Sequence, residues 1–219
     1  MRAIFFGSIG TMAETSEIQR TAFNKAFKEF GLNWYWNIGN YINMIQKPGG
    51  MPRIKEYSKL KLKDNDVKKI YDLKIKYFRQ YAINTVKPRD GILDVIDYAK
   101  KNNIKLGFIT TTSKETIEII KDSLSRYINF NDIDLITSEK DCDRKKPYPD
   151  IYNFAIEKLK VSKKNSISIE DTTVSFASSK KASIKTILFP GEYSVNKKNI
   201  LTSYKIFEEV KHFFTQKQS

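Results

Sequence analysis

Three observations predict an α/β fold, a doubly wound parallel sheet carrying an inserted helical module. The chain begins with a short apolar run, Ala3 to Phe6, that ends abruptly in Gly7, Ser8, Ile9, Gly10 and Thr11. The next roughly seventy residues carry four helical patterns and no strand pattern. After Pro88, strand-length apolar runs alternate with helical patterns up to the carboxyl-terminal segment. An apolar run bounded by glycines suits a buried strand running out into a tight loop. Alternating strands and helices specify βαβ units and a parallel sheet. Segments 1–13 and 86–219 are therefore expected to form the α/β core, and 14–85 the helical module.

The elements follow in order. From Glu14 to Phe30, the residues Ile18, Ala22, Phe23, Ala26, Phe27 and Phe30 recur at helical spacing until Gly31 stops the pattern. Thr15 or Ser16 is placed to cap its start. The Trp34-Tyr35-Trp36-Asn37 stretch through Gln46 reads as a second short helix, and Pro48-Gly49-Gly50 as a turn. Pro52 to Leu60 and Asp64 to Ile83 read as two more helices. The last has Val67, Ile70, Tyr71, Ile75, Phe78 and Tyr81 or Ala82 on one face. Beyond Pro88 the predicted helices are Asp90 to Asn103, Ser113 to Ser123, Pro149 to Leu159, Thr173 to Ala182 and Leu201 to Phe214. The predicted strands between them are Lys105 to Ile109, Ile133 to Ile136, Ser166 to Ile169 and Lys185 to Phe189.

With 14 Phe and 12 Tyr among 219 residues, the chain can bury a substantial core. No run of about 18 apolar residues is present, so no transmembrane helix is expected. The apolar run after Arg2 is too short for a secretory signal, and Cys142 alone allows no internal disulfide and no cysteine-built zinc site. A cytoplasmic protein is expected. The net charge of +14 is spread over lysines interleaved with acids, and no nucleic-acid-binding motif accompanies it. The positive field is better suited to drawing in an anionic small molecule.

The strand ends carry the chemistry. Ile4 to Thr15 reads IFFGSIGTMAET, KLGFITTT ends in Thr110, Thr111 and Thr112, KKPYPD contains Lys146, and ISIEDT ends in Glu170 and Asp171. In order and spacing these four stretches resemble the four motifs of the haloacid dehalogenase (HAD) superfamily, whose core is Rossmann-like. In that register the nucleophilic Asp falls on Gly7 and the acid/base Asp on Ile9, while Gly10 and Thr11 match. The resemblance implies that Thr110 and Lys146 contact a phosphoryl group, with Ser8, Gly10, Thr11 and Thr111 beside it. It also implies that Glu170 and Asp171 are the remaining ligands for Mg²⁺. In the family's phosphatases the metal is held by the nucleophile, the backbone carbonyl two residues on, and a fourth-motif acid.

The insertion, ETSEIQRTAFNKAFKEFGLNWYWN followed by PGGMPRIKEY, resembles the helical C1-type cap of CbbY-type sugar-phosphate phosphatases. Those relatives act on small phosphorylated sugars, typically a pentulose bisphosphate. The resemblance places Glu14 toward the substrate, with Gly50 in a turn that reaches over it and Arg53 as the anion contact. Met51 stands where a lysine is usual.

Glycine offers no attacking atom and isoleucine exchanges no proton, so the covalent route is expected to be lost. Ser8 is no replacement. Strand side chains alternate in direction, and the one histidine, His212, lies near the carboxyl terminus. Backbone amides of the first loop, Thr110 and Lys146 can still cradle a phosphate. The expected function is thus a pseudoenzyme that binds a small phosphorylated metabolite, as a sensor or as the regulatory partner of an active relative. Hydrolysis by metal-activated water, and a basic interaction module, are the alternatives.

Overall fold

A computed structural model describes residues 1–7, 9–47, 49–193 and 203–216. Five strands form one parallel sheet in the order β3-β2-β1-β4-β5. They are β1 (Ala3–Phe6), β2 (Lys105–Phe108), β3 (Leu135–Ile136), β4 (Ser166–Glu170) and β5 (Lys185–Leu188). Strand β1 lies in the middle, with Ala3 level with Lys105 on one side and with Ser166 on the other. Its side chains alternate between two helical layers. Ile4 and Phe6 pack into a cluster with Val95, Ile120 and Val210, whereas Ala3 and Phe5 pack with Ile151, Tyr152 and Ala155. Burial on both faces explains why β1 reads as an unbroken apolar run.

The layers are built from α6 (Ile92–Lys101), α7 (Lys114–Leu124), α8 (Asp150–Leu159), α9 (Thr173–Lys181) and α10 (Ser203–Thr215). Gly91, with φ of 81°, starts α6, whereas Ser113 caps α7 by accepting from Thr116 N, and Thr172 caps α9 by accepting from Ser175 N. Residues 201–202 of the expected last helix lie outside the described residues. Strand β3 is only two residues long; at Asp134 the side chain pairs with β2, its Oδ2 accepting from Leu106 N at 2.8 Å.

After β1 the chain makes one helical turn, α1 (Ile9–Met12), where the sequence reads as a loop. It then enters α2 (Ser16–Glu29), α3 (Ile38–Met44), α4 (Gly50–Tyr57) and α5 (Asp64–Ala82). Phe23, Phe27, Trp36 and Tyr41 form an aromatic cluster between them. Trp34 to Asn37 is not helical, contrary to the periodicity. The Asn24 side chain bonds both the N–H and the carbonyl of Trp36, at 2.7 and 3.0 Å, and fixes that stretch outside a helix. Asn37 then caps α3 by accepting from Asn40 N. Helix α4 starts two residues earlier than predicted and stops at Tyr57, since Lys59 and Leu60 take left-handed backbone angles. On α5, Lys74 and Tyr77 are buried beside Val67, Ile70, Phe78 and Ala82, while Tyr71 and Ile75 are only partly covered. No helix among the described residues is long and apolar enough to cross a membrane.

Candidate functional site

The carboxyl ends of the central strands gather the site, as expected of an open parallel sheet. The ladder continues past the strands: Gly7 N donates to Ile169 O at 2.8 Å, Ile109 N to Phe6 O at 2.7 Å, and Phe189 N to Glu170 O at 2.6 Å. Loops leaving β1, β2 and β4 are thereby held side by side. Gly7, Thr110, Lys146, Glu170 and Asp171, singled out in the sequence, are all buried; Glu170 is bonded to Lys146 and lies against Gly7, Asp171 lies against Gly10, and Thr110 is bonded to Thr137 and Thr112.

Glu170 is fully buried and turns inward. Its Oε1 accepts from Lys146 Nζ at 2.8 Å and from the Tyr152 hydroxyl. Lys146 Nζ also donates to Ile109 O at 3.1 Å, which uses two of its three N–H groups. Burial pushes the Glu170 carboxyl above the usual carboxylate range, against the opposing pull of Lys146. Burial, then the charge of Glu170, raises the Tyr152 phenol well above its ordinary value. Tyr152 was not legible as a site residue: in KKPYPDIY it simply reads as an apolar-face position of α8.

A side chain at position 7 has no room beside this carboxylate. A Cβ on Gly7 would fall 1.7 Å from Glu170 Oε2. A Cβ on Gly10 would fall 2.2 Å from Asp171 Oδ2. Both glycines therefore allow a carboxylate from the end of β4 to close onto the first loop. Ile9 is buried and packs in the main core cluster. Thr11 is buried too, its hydroxyl without a partner among the described residues. Ser8 lies outside the described residues. Thr110 N donates to Thr137 Oγ1 at 2.9 Å, and its own hydroxyl accepts from Thr112 N at 3.3 Å, while Thr111 is half-buried.

Glu14 is held at the junction with the helical insertion. Its Oε1 accepts from Glu192 N at 2.9 Å and lies 3.3 Å from Arg89 Nε. Burial raises its pKa, with Arg89 opposing. Arg89 also donates to the carbonyls of Gly10, Phe189 and Pro190 at 2.7, 3.0 and 2.8 Å. It thus ties the first loop to the loop after β5, a role that a lone arginine after a proline does not announce. Arg53 donates to the carbonyls of Met44 and Lys47 at the end of α3, and lies over the Tyr41 ring. In this conformation it closes the helix end. Gly50 packs against Tyr71, whose hydroxyl lies 3.4 Å from Ser113 Oγ.

Lys74 was missed because a lysine inside a helical pattern reads as solvated. It is buried, donates to Gln19 Oε1 at 3.0 Å, and faces the rings of Phe78, Phe23 and Tyr71. Gln19 donates in turn to Thr15 Oγ1 at 3.1 Å. Burial, reinforced by Arg53, lowers the Lys74 pKa to about 7.

The family's magnesium site is not well matched by these groups. Mg²⁺ requires near-octahedral oxygen ligands. Gly7 supplies none and Glu170 Oε1 is engaged by Lys146 and Tyr152, so the ligand set is reduced to Asp171 and the Ile9 carbonyl, which also accepts from Ala13 N at 3.0 Å. Among the described residues no group of three His, Cys, Asp or Glu side chains converges to hold a metal.

The fold and this arrangement of strand-end loops define a HAD-like α/β protein. The sequence profile of haloacid dehalogenase-like hydrolases matches residues 10–189, and the chain belongs to that family. It is 31% identical over 198 residues to protein CbbY of Cereibacter sphaeroides, covering 89% of this chain and 86% of that protein. It is 28% identical to protein CbbY of Rhodobacter capsulatus, covering 89% and 87%. The crystal structure of CbbY from Rhodobacter sphaeroides in complex with phosphate superposes with a TM-score of 0.83 at 29% identity, covering 94% of this chain and 95% of that one. A mutant of the same protein in complex with xylulose-(1,5)bisphosphate superposes equally well, with the same TM-score of 0.83. The chain is therefore a CbbY-like member of the HAD family, related to sugar-phosphate phosphatases. HAD phosphatases generally use Mg²⁺.

Proposed function

We propose that this protein binds a small phosphorylated metabolite, a sugar phosphate, between a helical cap (residues 14–85) and the α/β core, without carrying out the family's covalent phosphoryl transfer. One observation carries the proposal. The space into which a side chain at position 7 would project is filled by the Glu170 carboxylate, 1.7 Å from that side chain's Cβ. Glu170 does not take over as nucleophile, because its carboxylate is wholly buried and lies back at the Cβ position rather than beyond it. In-line attack needs an exposed nucleophile about 3–3.5 Å from phosphorus. At position 9, a buried isoleucine neither donates nor accepts a proton.

Two further groups support anion binding. Thr110 carries its hydroxyl in the loop after β2, and Lys146 supplies a buried ammonium. The complexes of CbbY, 29% identical to this chain, with phosphate and with xylulose-(1,5)bisphosphate support a phosphorylated sugar as the ligand class. The test is phosphate release from a panel of phosphosugars with Mg²⁺, beside isothermal titration of the same compounds. Heat of binding without turnover is expected in the native protein, and turnover in the Gly7→Asp/Ile9→Asp variant once Glu170 swings aside. Native turnover abolished by chelation would overturn the proposal.

A further inference from the structure

We infer that this site has given up its divalent cation along with the two carboxylates, and takes a phosphate dianion without metal on the ammonium of Lys146 and neutral donors. The inference rests on the binding role proposed above and concerns how that same site is neutralised. Three positions carry it. Gly7 offers no carboxylate. The Ile9 carbonyl already accepts from Ala13 N at 3.0 Å, which leaves it one lone pair. Glu170 is neutralised within the protein, its Oε1 bonded to Lys146 Nζ at 2.8 Å and to the Tyr152 hydroxyl. A metal drawn to Glu170 would bring a second cation close to Lys146, which is only 5% exposed and whose Nζ is 2.8 Å from Oε1. Two like charges gathered on one buried carboxylate repel each other at low dielectric.

The charge balance runs the same way. Two aspartates at positions 7 and 9 with one Mg²⁺ sum to zero, and so do Gly7 and Ile9 without metal. A phosphate dianion therefore meets no extra repulsion from losing the cation, because the carboxylates that needed it are gone. Binding then falls to uncharged and ammonium donors. These are the Thr110 hydroxyl and the third N–H of Lys146, whose other two serve Ile109 O and Glu170.

The experiment uses the full chain, inorganic phosphate and Mn²⁺. Phosphate is titrated calorimetrically in EDTA and in millimolar Mg²⁺, and Mn²⁺ alone is titrated with the free ion followed by electron paramagnetic resonance. Expected are phosphate dissociation constants within about twofold in the two buffers and no Mn²⁺ site of submillimolar affinity. Thr110→Val is expected to weaken phosphate about tenfold in EDTA, as loss of one hydrogen bond to a charged group does. The Gly7→Asp/Ile9→Asp variant is expected to gain a Mn²⁺ site. Phosphate binding that appears, or tightens tenfold or more, only with Mg²⁺ overturns the inference while leaving the binding role intact. So does a submillimolar Mn²⁺ site in the native protein. Absence of phosphate binding in both buffers, in a folded sample, overturns the inference and the binding role together.

Discussion

Glu170 Oε2 stands 1.7 Å from the point at which a side chain on Gly7 would begin. No atom fits there unless the carboxylate moves, and moving it disturbs the buried contact with Lys146 at 2.8 Å. Gly7→Ala is therefore expected to cost about 1–3 kcal/mol in urea denaturation, the range for overpacking a core. The same change made in a Glu170→Ala background is expected to cost less than about 0.5 kcal/mol, because the obstacle is gone. Glu170→Ala alone strands the ammonium of Lys146 and should cost about 3–5 kcal/mol. Equal costs for Gly7→Ala in both backgrounds would contradict the packing described.

Lys74 makes stability depend on pH. Its folded pKa of about 7 lies below the ordinary lysine value of 10.5, so the unfolded chain binds more protons between those values. Stability from this group is then fully present above about pH 10.5 and is lost as pH falls through 7. Lys74→Met removes the penalty. It is expected to stabilise the protein at pH 6 by on the order of a few kcal/mol, with the advantage shrinking toward pH 10. Chemical denaturation of both proteins at the two pH values reads the difference directly. A pH-independent gap would mean that Lys74 stays charged in the folded state. Glu170, whose pKa is raised, contributes in the opposite sense, its share being lost as pH rises.

Much of this was legible from the residues. The sheet and its strand ends followed from apolar periodicity, and the four strand-end stretches were marked by their resemblance to the family's motifs; of their residues Gly7, Lys146 and Glu170 lie against one another. What escaped had physical reasons. Lys74 and Tyr152 occupy helix faces where pattern marks a position as buried but gives no chemistry. Arg89 acts through three backbone carbonyls brought together from two distant loops, and pattern carries no trace of such long-range pairing. Trp34 to Asn37 kept helical spacing on paper, yet two hydrogen bonds from Asn24 outweighed it.

The Arg89 clamp gives a second pH signature. Arg89→Lys retains the charge, but a lysine's compact ammonium does not reproduce the guanidinium fork that reaches three carbonyls and Glu14. A loss of about 1–3 kcal/mol is expected from the unmatched carbonyls. Arg89→Met should lose more, and the extra loss should depend on pH. Glu14 already has a raised pKa, and removal of its cation raises it further. Stability of the Arg89→Met variant relative to native should thus fall as pH rises above the ordinary carboxylate range. Thermal denaturation from pH 4 to 8 measures this, and a constant deficit would remove Glu14 from the account.

Tyr193 couples the sheet to the helical insertion. It follows β5, yet its ring lies in the aromatic cluster of α2 and α3, 6.2 Å from that of Tyr41, and its hydroxyl bonds Glu17 on α2. Burial and that bond push its pKa up to about 12, so it remains a neutral donor across the physiological range. Tyr193→Phe removes one hydrogen bond and is expected to cost about 0.5–1.5 kcal/mol. Tyr193→Ala also empties the cluster and should cost about 3–5 kcal/mol. The decisive readout is amide hydrogen exchange. If Tyr193 straps the helical unit to the sheet, protection in α2 and α3 falls in Tyr193→Ala well beyond that in the strands. Uniform loss of protection throughout the chain would instead make Tyr193 an ordinary core residue with no coupling role.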